Sequence, residues 1–121
     1  MQDCIFCKII DGEIPSKKVF EDELILAFHD ISPMAPVHII FIPKATVDSH
    51  INSAHGISEA NSKYIARIFE KIPEVAKSFG LSDDNGYRIV TNTGKDGGQS
   101  VNHIHFHLIG GKALPITTLF G

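Results

Sequence analysis

The chain has 121 residues, a formal net charge of −3 at pH 7, 43% apolar residues and 21% charged residues. These values are typical of one globular domain with a single hydrophobic core, and no basic stripe is present that would neutralise the phosphates of duplex nucleic acid. The apolar runs are too short to span a membrane. With two cysteines and no signal-peptide pattern at the N-terminus, we expect a cytoplasmic protein with neither membrane nor nucleic acid as a partner.

The N-terminal half of the chain predicts a short helix followed by three strands. Residues 4–10 form an amphipathic pattern that ends at Asp11-Gly12, which is a helix-stop signal. Apolar segments at 18–21, 24–29 and 37–42 are separated by acidic residues and prolines, and they predict strands.

The C-terminal half predicts one long helix and two more strands. Ser58 is expected to cap a helix over 59–79 that ends at Gly80. Segments 87–92 and 102–109 predict the last strands. The expected fold is therefore α+β, a single domain over 1–121 with an antiparallel sheet of about five strands, one long helix and a short N-terminal helix. The long helix has an apolar stripe at spacings of three and four: Ile65, Ile68, Phe69, Ile72, Val75, Ala76 and Phe79.

Three histidines alternate with apolar residues in the last predicted strand, at positions 103, 105 and 107. A period of two places them on one face of a strand, about 7 Å apart along it. Imidazole titrates near neutrality, so such a row suits metal binding or the transfer of protons and groups. The alternative is a polar strand face that is merely exposed to water.

The loop before the histidines, 92–100, contains Gly94, Gly97, Gly98 and Ser100. Glycine lets a backbone approach a ligand closely, and successive N–H groups in such a loop can form a nest for an anion. Taken alone, these glycines fit a hairpin turn equally well. A nest that leads into a row of histidines predicts phosphate chemistry.

The segment from His103 to Ile109 resembles the His-φ-His-φ-His-φ-φ motif of the histidine triad (HIT) family, where φ is apolar. Segments 4–10, 14–15, 20–22, 27–33, 36–38 and 42–44 resemble the family's N-terminal half, and 86–88 and 97–101 its second half. The third histidine and Gly110-Gly111 favour the HINT-like branch of nucleotide-binding hydrolases. The resemblance implies a HIT-like fold and hydrolysis of purine nucleoside 5′-phosphoramidates through a nucleotidyl-histidine.

The resemblance also implies roles for individual histidines. His105 matches the nucleophile, which must be neutral to attack phosphorus, and His107 matches the residue that contacts phosphate and protonates the departing amine. His103 is expected to be structural or to bind metal. His38 is expected to orient the triad, although an isolated histidine in a strand is usually a satisfied core residue.

Two further groups of residues match ligand-contacting positions of the family. Asp30 is expected to accept hydrogen bonds from both ribose hydroxyls, and apolar walls around the base should discriminate weakly between adenine and guanine. Any single apolar member could instead be a core residue. The phosphate group comprises Asn92, Gly98, Gln99, Ser100, His105 and His107, and the nucleoside group comprises Ile5, Phe6, Ile9, Phe28, His29, Asp30 and Ile31.

Cys4 and Cys7 form a Cys-x-x-Cys pair with three interpretations: a redox motif, two unrelated reduced thiols, or half of a zinc site. Many bacterial relatives resemble the third case, with the first triad histidine and a histidine in Pro-Lys-x-His as further ligands. Here Thr46 occupies that last position, and His50 could replace it if the loop bends. Such a zinc would be structural, and no cofactor is expected for catalysis.

Other functions compatible with the motif are a nucleotide-binding adaptor with little turnover, a dinucleoside polyphosphate hydrolase, and a catalytic zinc held by three histidines. The resemblance also implies a two-fold homodimer. The apolar C-terminal segment 113–120 is expected to pack near the partner's active site.

Overall fold

A computed structural model describes residues 4–45 and 50–115, and it contains one five-stranded antiparallel sheet in the order β1-β2-β3-β5-β4. The predicted α+β fold is confirmed. Among the described residues, no helix has both the length and the apolar character needed to cross a membrane. The elements are α1 (Ile5–Ile10), β1 (Lys18–Glu21), β2 (Ile25–His29), β3 (Val37–Pro43), a 3₁₀ turn (Ala54–Gly56), α2 (Ser62–Ser78), β4 (Tyr87–Val90) and β5 (Phe106–Gly110).

The central strand β3 is buried along its whole length, because both faces of the sheet are covered. Alternate residues point to opposite faces, so Ile39 and Phe41 join the core against α2, whereas Ile40 and Ile42 pack toward α1. His38 shares the α1 face with Ile40. The register pairs Ile40 with His107, which places the third histidine on the same face.

Helix α2 begins at Ser62, three residues later than predicted, and Asn61 is its N-cap. Ser58 initiates a turn instead: its Oγ accepts the Ala60 N–H at 3.3 Å, and its own N–H donates to Asn61 Oδ1 at 2.8 Å. These local bonds compete with helix formation. The stripe buries Ile68, Ile72, Val75 and Ala76 against the sheet, and Phe69 is 45% exposed.

Strand β5 begins only at Phe106, so the prediction of one strand over 102–109 is wrong for its first half. The preceding residues bond outside the sheet ladder: the Ile104 N–H donates to the Ile51 carbonyl at 2.8 Å, and the Thr91 hydroxyl donates to the His105 carbonyl at 2.8 Å. Successive residues of 103–105 still alternate between the two faces of the sheet, because Ile104 joins the core on the α2 side. His103 and His105 therefore remain on the side of α1.

Candidate active site

Three imidazoles lie in contact on the α1 face of the sheet. The ring centroids of His105 and His107 are 5.0 Å apart, and those of His38 and His107 are 5.1 Å apart. His38 and His105 are each 3% exposed. Asp30 follows β2 and lies beside His38, so the structure brings together four of the predicted residues.

The hydrogen bonds of His105 determine which of its nitrogens carries the proton. Its Nδ1 lies 2.8 Å from the His103 carbonyl oxygen, which can only accept, so Nδ1–H donates and Nε2 keeps a free lone pair. Burial lowers the pKa of His105, although its bond to the His103 carbonyl opposes the shift. Phe6 packs edge-on against the ring at 5.0 Å. His105 is thus a neutral, fixed imidazole with one nucleophilic nitrogen.

A chain of hydrogen bonds sets the tautomers of the other two rings. The Met34 N–H donates to His38 Nδ1 at 3.0 Å, so the proton of neutral His38 lies on Nε2. That Nε2 is 2.9 Å from His107 Nδ1, which must accept. Burial lowers the pKa of His38 below its ordinary value. The proton of neutral His107 is therefore on Nε2, where it can serve as a donor.

His107 is neutral in the ligand-free protein. Burial, followed by the neighbouring His105 and His38, lowers its pKa to about 4 from an ordinary value of 6.5. Its side chain is less buried than those of the two histidines beside it. A ligand that brings negative charge to this ring would favour its protonated form.

His103 faces away from this group, toward Cys4 and Cys7. Its Nε2 lies 2.9 Å from the Pro43 carbonyl, so Nε2–H donates and Nδ1 presents a lone pair to the two sulfurs, at 3.3 and 3.5 Å. Burial lowers the pKa of His103 to about 4. In the metal-free form burial, reinforced by Cys4, raises the pKa of Cys7 to about 12.

His50 completes a set of four metal-ligand atoms with these three residues. Its Nε2 lies 3.5 Å from Cys4 Sγ, and the four ligand atoms lie within 4.8 Å of one another. Tetrahedral Zn²⁺, with bonds of about 2.0–2.3 Å, places its ligand atoms about 3.3–3.8 Å apart. Nδ1 of His50 lies 2.7 Å from Asn52 Oδ1, to which it donates, so the second nitrogen of each histidine is held by an acceptor. These four ligand atoms fit a tetrahedral zinc site. Thr46, at the position where the resemblance places a histidine, lies outside the described residues.

The nucleoside residues divide into buried and exposed members. Phe6, Ile9 and Phe28 belong to the small core under α1, whereas Ile5 is 45% and Ile31 is 97% exposed. A cleft of about 580 Å³ adjoins them, lined by Pro15, Ser16, Lys17, His29, Asp30 and Ile31. The exposed apolar side chains and Asp30 are thus accessible to a ligand.

The ring of His29 lies on the α2 side of the sheet. It packs edge-on against Phe79 at 5.4 Å, next to the end of α2. Alternation along β2 explains this, because His29 follows Ile25 and Ala27 on the α2 face, opposite to Phe28. His29 also lines the cleft beside Asp30 and Ile31, so its place in the nucleoside group stays a prediction.

The glycine loop is held by hydrogen bonds among its own residues. The N–H groups of Gly94, Gly98 and Gln99 donate to acceptors inside the loop. The Gln99 amide donates to the Asn52 and Val101 carbonyls, so its side chain braces the loop, and its contact with phosphate stays a prediction. Asn92 donates to the Gly97 carbonyl at 2.8 Å.

Ser100 is exposed at the end of this loop, and among the described residues its hydroxyl has no protein partner. A side chain at position 97 would require the backbone to shift, because an added Cβ would clash with the Thr93 carbonyl oxygen. A groove of about 750 Å³ runs along the loop and β4, with Asn92, Gly97 and Gly98 in its lining. Ser100 thus offers a hydroxyl donor at the end of a loop that internal hydrogen bonds brace.

Several groups that fix the site were not predicted from the sequence. They are the Met34 N–H, the carbonyls of His103 and Pro43, the Thr91 hydroxyl and the Asn52 side chain. Most act through the backbone, which carries no residue-specific signal. Asn52 had a weak local signal, because it lies two residues after His50.

Comparison with known proteins gives consistent matches over nearly the whole chain. The family model described as HIT domain matches residues 11–114. An uncharacterized HIT-like protein of Rickettsia prowazekii is 47% identical over 110 residues, covering 91% of this chain and 88% of that protein. The purine nucleoside phosphoramidase of Escherichia coli K12 is 41% identical over 113 residues, covering 93% and 91%.

Comparison with solved structures also gives matches to histidine triad proteins over nearly the whole chain. A histidine triad protein from Clostridium difficile superposes with a TM-score of 0.86 at 45% identity, covering 95% of this chain and 96% of that one. A HIT family hydrolase from Clostridium thermocellum has a TM-score of 0.87 at 41% identity, with coverage of 95% and 96%.

The low pKa of His107 predicts a pH dependence of stability in metal-free protein. The unfolded chain binds the proton near pH 6.5 and the folded chain only near pH 4, so the free energy of unfolding should fall as pH drops through this window. One such proton contributes a slope of about 1.4 kcal/mol per pH unit. In urea denaturation between pH 6.0 and 4.5, His107→Asn should reduce the slope by up to that amount. His55→Asn, on the exposed 3₁₀ turn, is the matched control; equal slopes for wild type and His107→Asn would contradict the assignment.

Proposed function

The chain belongs to the histidine triad (HIT) family and is related to its hydrolases, and we propose that it hydrolyses purine nucleoside 5′-phosphoramidates through a covalent intermediate on His105. One observation carries the proposal: the His103 carbonyl holds Nδ1 of His105, which leaves Nε2 as a neutral nucleophile. The relative named purine nucleoside phosphoramidase supports this choice of substrate.

In the first step, the Nε2 lone pair of His105 forms a bond to phosphorus while the P–N bond breaks and its electron pair passes to nitrogen. The anionic phosphoryl group of the bound substrate favours the protonated form of His107. His107 then gives a proton to the departing amine and becomes neutral. The Nδ1–H of His105 keeps its hydrogen bond to the His103 carbonyl. The His105 imidazole, now bonded to phosphorus through Nε2, therefore carries a positive charge.

In the second step, water attacks phosphorus and the bond to His105 Nε2 breaks, with its electron pair returning to that nitrogen. His107 accepts the proton that the water loses, and it returns to its neutral resting form when the anionic product leaves. We propose that the hydroxyl of Ser100 donates to a nonbridging oxygen as its charge grows. The products are the amine and a nucleoside 5′-monophosphate, and no metal is needed.

The three histidines of the motif have different partners, which weighs against a catalytic zinc held by all three. Nδ1 of His103 faces thiols, Nδ1 of His105 donates to a carbonyl, and Nδ1 of His107 accepts from His38. Metal-free folded protein with full turnover would reject that alternative. An adaptor without turnover has no use for a tautomer fixed for attack. Dinucleoside polyphosphates remain a second substrate class to assay.

The nucleophile can be tested by removing it. His105→Ala should abolish turnover while nucleoside monophosphate binding stays within about tenfold, because a nucleophile serves chemistry more than ground-state binding. Acid-quenched wild-type reactions should contain a nucleotidyl group on His105, detected by peptide mass spectrometry. Turnover in the variant, or an adduct on another residue, would contradict the proposed mechanism.

We also propose that Cys4, Cys7, His50 and His103 hold a structural Zn²⁺. The support is the fit of their spacing to a tetrahedron and the acceptors that hold the second nitrogen of each histidine. His50 thus takes the place of the histidine expected at position 46. Both cysteines are free thiols, which suits a reducing cytoplasmic location.

Metal analysis of purified protein should give about one zinc per chain. His50→Ala should lower zinc affinity by at least about tenfold in competition with a chromophoric chelator, and His55→Ala should not. Thr46→Ala should also leave the affinity unchanged, since His50 supplies the fourth ligand. A loss confined to Thr46→Ala, or the absence of zinc binding in wild type, would overturn the proposed ligand set.

We further propose a two-fold homodimer formed through β4. This strand occupies one edge of the described sheet, and an open edge with apolar side chains is a pairing surface. Ile89 on β4 is 38% exposed and Phe69 on α2 is 45% exposed, both on the α2 side of the sheet. The segment after residue 115, predicted to approach the partner's site, lies outside the described residues.

Light scattering at low micromolar concentration should give about twice the chain mass of 13.3 kDa. Ile89→Lys should shift the protein toward the monomer, because it buries a charge in the proposed contact. Ile57→Lys, at an exposed position after the 3₁₀ turn, is the control. A wild-type monomer under these conditions would refute the dimer.

A further inference from the structure

Asp30 lies beside the two histidines that would supply the acid. Its Oδ2 is 3.3 Å from Nε2 of His38, and the same Nε2 is 2.9 Å from Nδ1 of His107. One ligand atom from each residue lies within 4.8 Å of the others, an arrangement that could hold a cation. The Ser32 N–H donates to Oδ1 at 2.7 Å, which fixes the direction of the carboxylate.

We propose that Asp30 is a positioning residue for the general acid, in addition to its expected role in ribose recognition. Its carboxylate stabilises the extra proton that the His38–His107 pair holds when His107 is ready to protonate the leaving amine. The inference rests on the proposed phosphoramidate hydrolysis and assigns a second task to one of its residues.

Protonation of the His38–His107 pair requires a neighbouring anion, because the hydrogen bonds of the pair are already complete when both rings are neutral. The Met34 N–H occupies the Nδ1 lone pair of His38, so the His38 proton stays on Nε2, directed at His107 Nδ1. A second proton on His107 must bind at that same Nδ1. Two N–H groups would then face each other across 2.9 Å, and an acceptor beside them is required.

Asp30 is the group placed to be that acceptor. Its Oδ2 can take the Nε2–H of His38, and its negative charge stabilises the protonated pair across a short distance in a partly buried site. The Asp30 side chain is 18% exposed, whereas that of His38 is 2% exposed, so solvent reaches the carboxylate and hardly reaches the ring. The remaining lone pairs of the carboxylate can still accept ribose hydroxyls.

The proton balance closes with Asp30 ionised throughout. Protonated His107 gives the Nε2 proton to the amine as the P–N electron pair moves to nitrogen. The proton on Nδ1 remains, and the proton from the attacking water restores the Nε2–H. The extra proton comes from solvent when the anionic substrate binds and returns to solvent when the phosphate product leaves, which restores the resting tautomer of neutral His107. Asp30 neither gains nor loses a proton, so its contribution is electrostatic and geometric.

A substrate without ribose hydroxyls separates the two roles of Asp30. On a 2′,3′-dideoxyadenosine 5′-phosphoramidate of a simple alkylamine, the ribose contact is absent for wild type and variant alike. Asp30→Asn, which keeps an acceptor for the Ser32 N–H, should still lower the single-turnover rate of amine release at saturation by about 10- to 100-fold, part of the usual effect of a general acid. If Asp30 only bound ribose, Asp30→Asn would leave this rate unchanged.

Leaving-group dependence provides the readout that a merely structural role would not give. A dideoxynucleotide nitrophenyl ester releases a phenolate that needs no proton, so the loss in Asp30→Asn should be at least about tenfold smaller with this substrate. Equal losses with both substrates would overturn the proposal in favour of a general disruption of the site. On the ribonucleotide, the variant should in addition raise KM.

A double-mutant cycle tests whether Asp30 acts through His38. In the His38→Gln background, Asp30→Asn should cause no further loss of the alkylamine rate, and additive losses would show that His38 is not the intermediary. Asp83→Asn, in an exposed loop, is the matched control. Wild-type turnover of the ribonucleotide establishes the proposed function separately: its absence removes both proposals, whereas turnover insensitive to Asp30 removes only this one.

Discussion

The hydrogen bond from Nδ1 of His105 to the His103 carbonyl is the interaction on which the site depends. It is made between two residues of one short segment, so it requires no distant element to form. Its consequence is chemical, because an imidazole that donates from Nδ1 has its lone pair on Nε2. Burial adds the second condition by keeping the ring neutral near pH 7. A fixed tautomer and a lowered pKa together would make an ordinary histidine the nucleophile that we propose for His105.

The same bond links the two halves of the site. His103 gives its carbonyl to the nucleophile and its Nδ1 to the sulfurs, while Pro43 at the end of β3 anchors its other nitrogen. Phe6, between the two cysteines, contacts the rings of both His103 and His105. Whatever fixes the position of Cys4 and Cys7 therefore also fixes the backbone that holds His105. In this way a structural site can matter for catalysis without touching the substrate.

The sequence was sufficient for the architecture because its signals were local and periodic. Alternating apolar residues defined the strands within a few positions, and the triad defined one face of the sheet. The errors arose where hydrogen bonds override propensity. Ser58 forms a turn with Asn61 instead of capping a helix, and Ile104 bonds to Ile51 instead of to a strand. Neither competition is visible in a hydrophobic pattern.

The site was predictable in its residue types but not in their partners. The resemblance supplied the histidines and Asp30, whereas the groups that set each tautomer are largely backbone atoms such as the Met34 N–H and the Pro43 carbonyl. The contact of the His29 ring with Phe79 and the loop-bracing bonds of Gln99 were missed for a related reason. The face of β2 and the internal bonds of the loop depend on the folded chain, which the motif does not describe.

The central claim is that the protein fixes different tautomers in adjacent histidines, and nitrogen-15 NMR of the imidazole rings measures this directly. At pH 7, in ligand-free protein, the account predicts a neutral His105 with its proton on Nδ1 and a neutral His107 with its proton on Nε2. Variants of each histidine assign the signals. A His105 ring protonated on Nε2, or charged at this pH, would contradict the account, because no nucleophilic nitrogen would then be available.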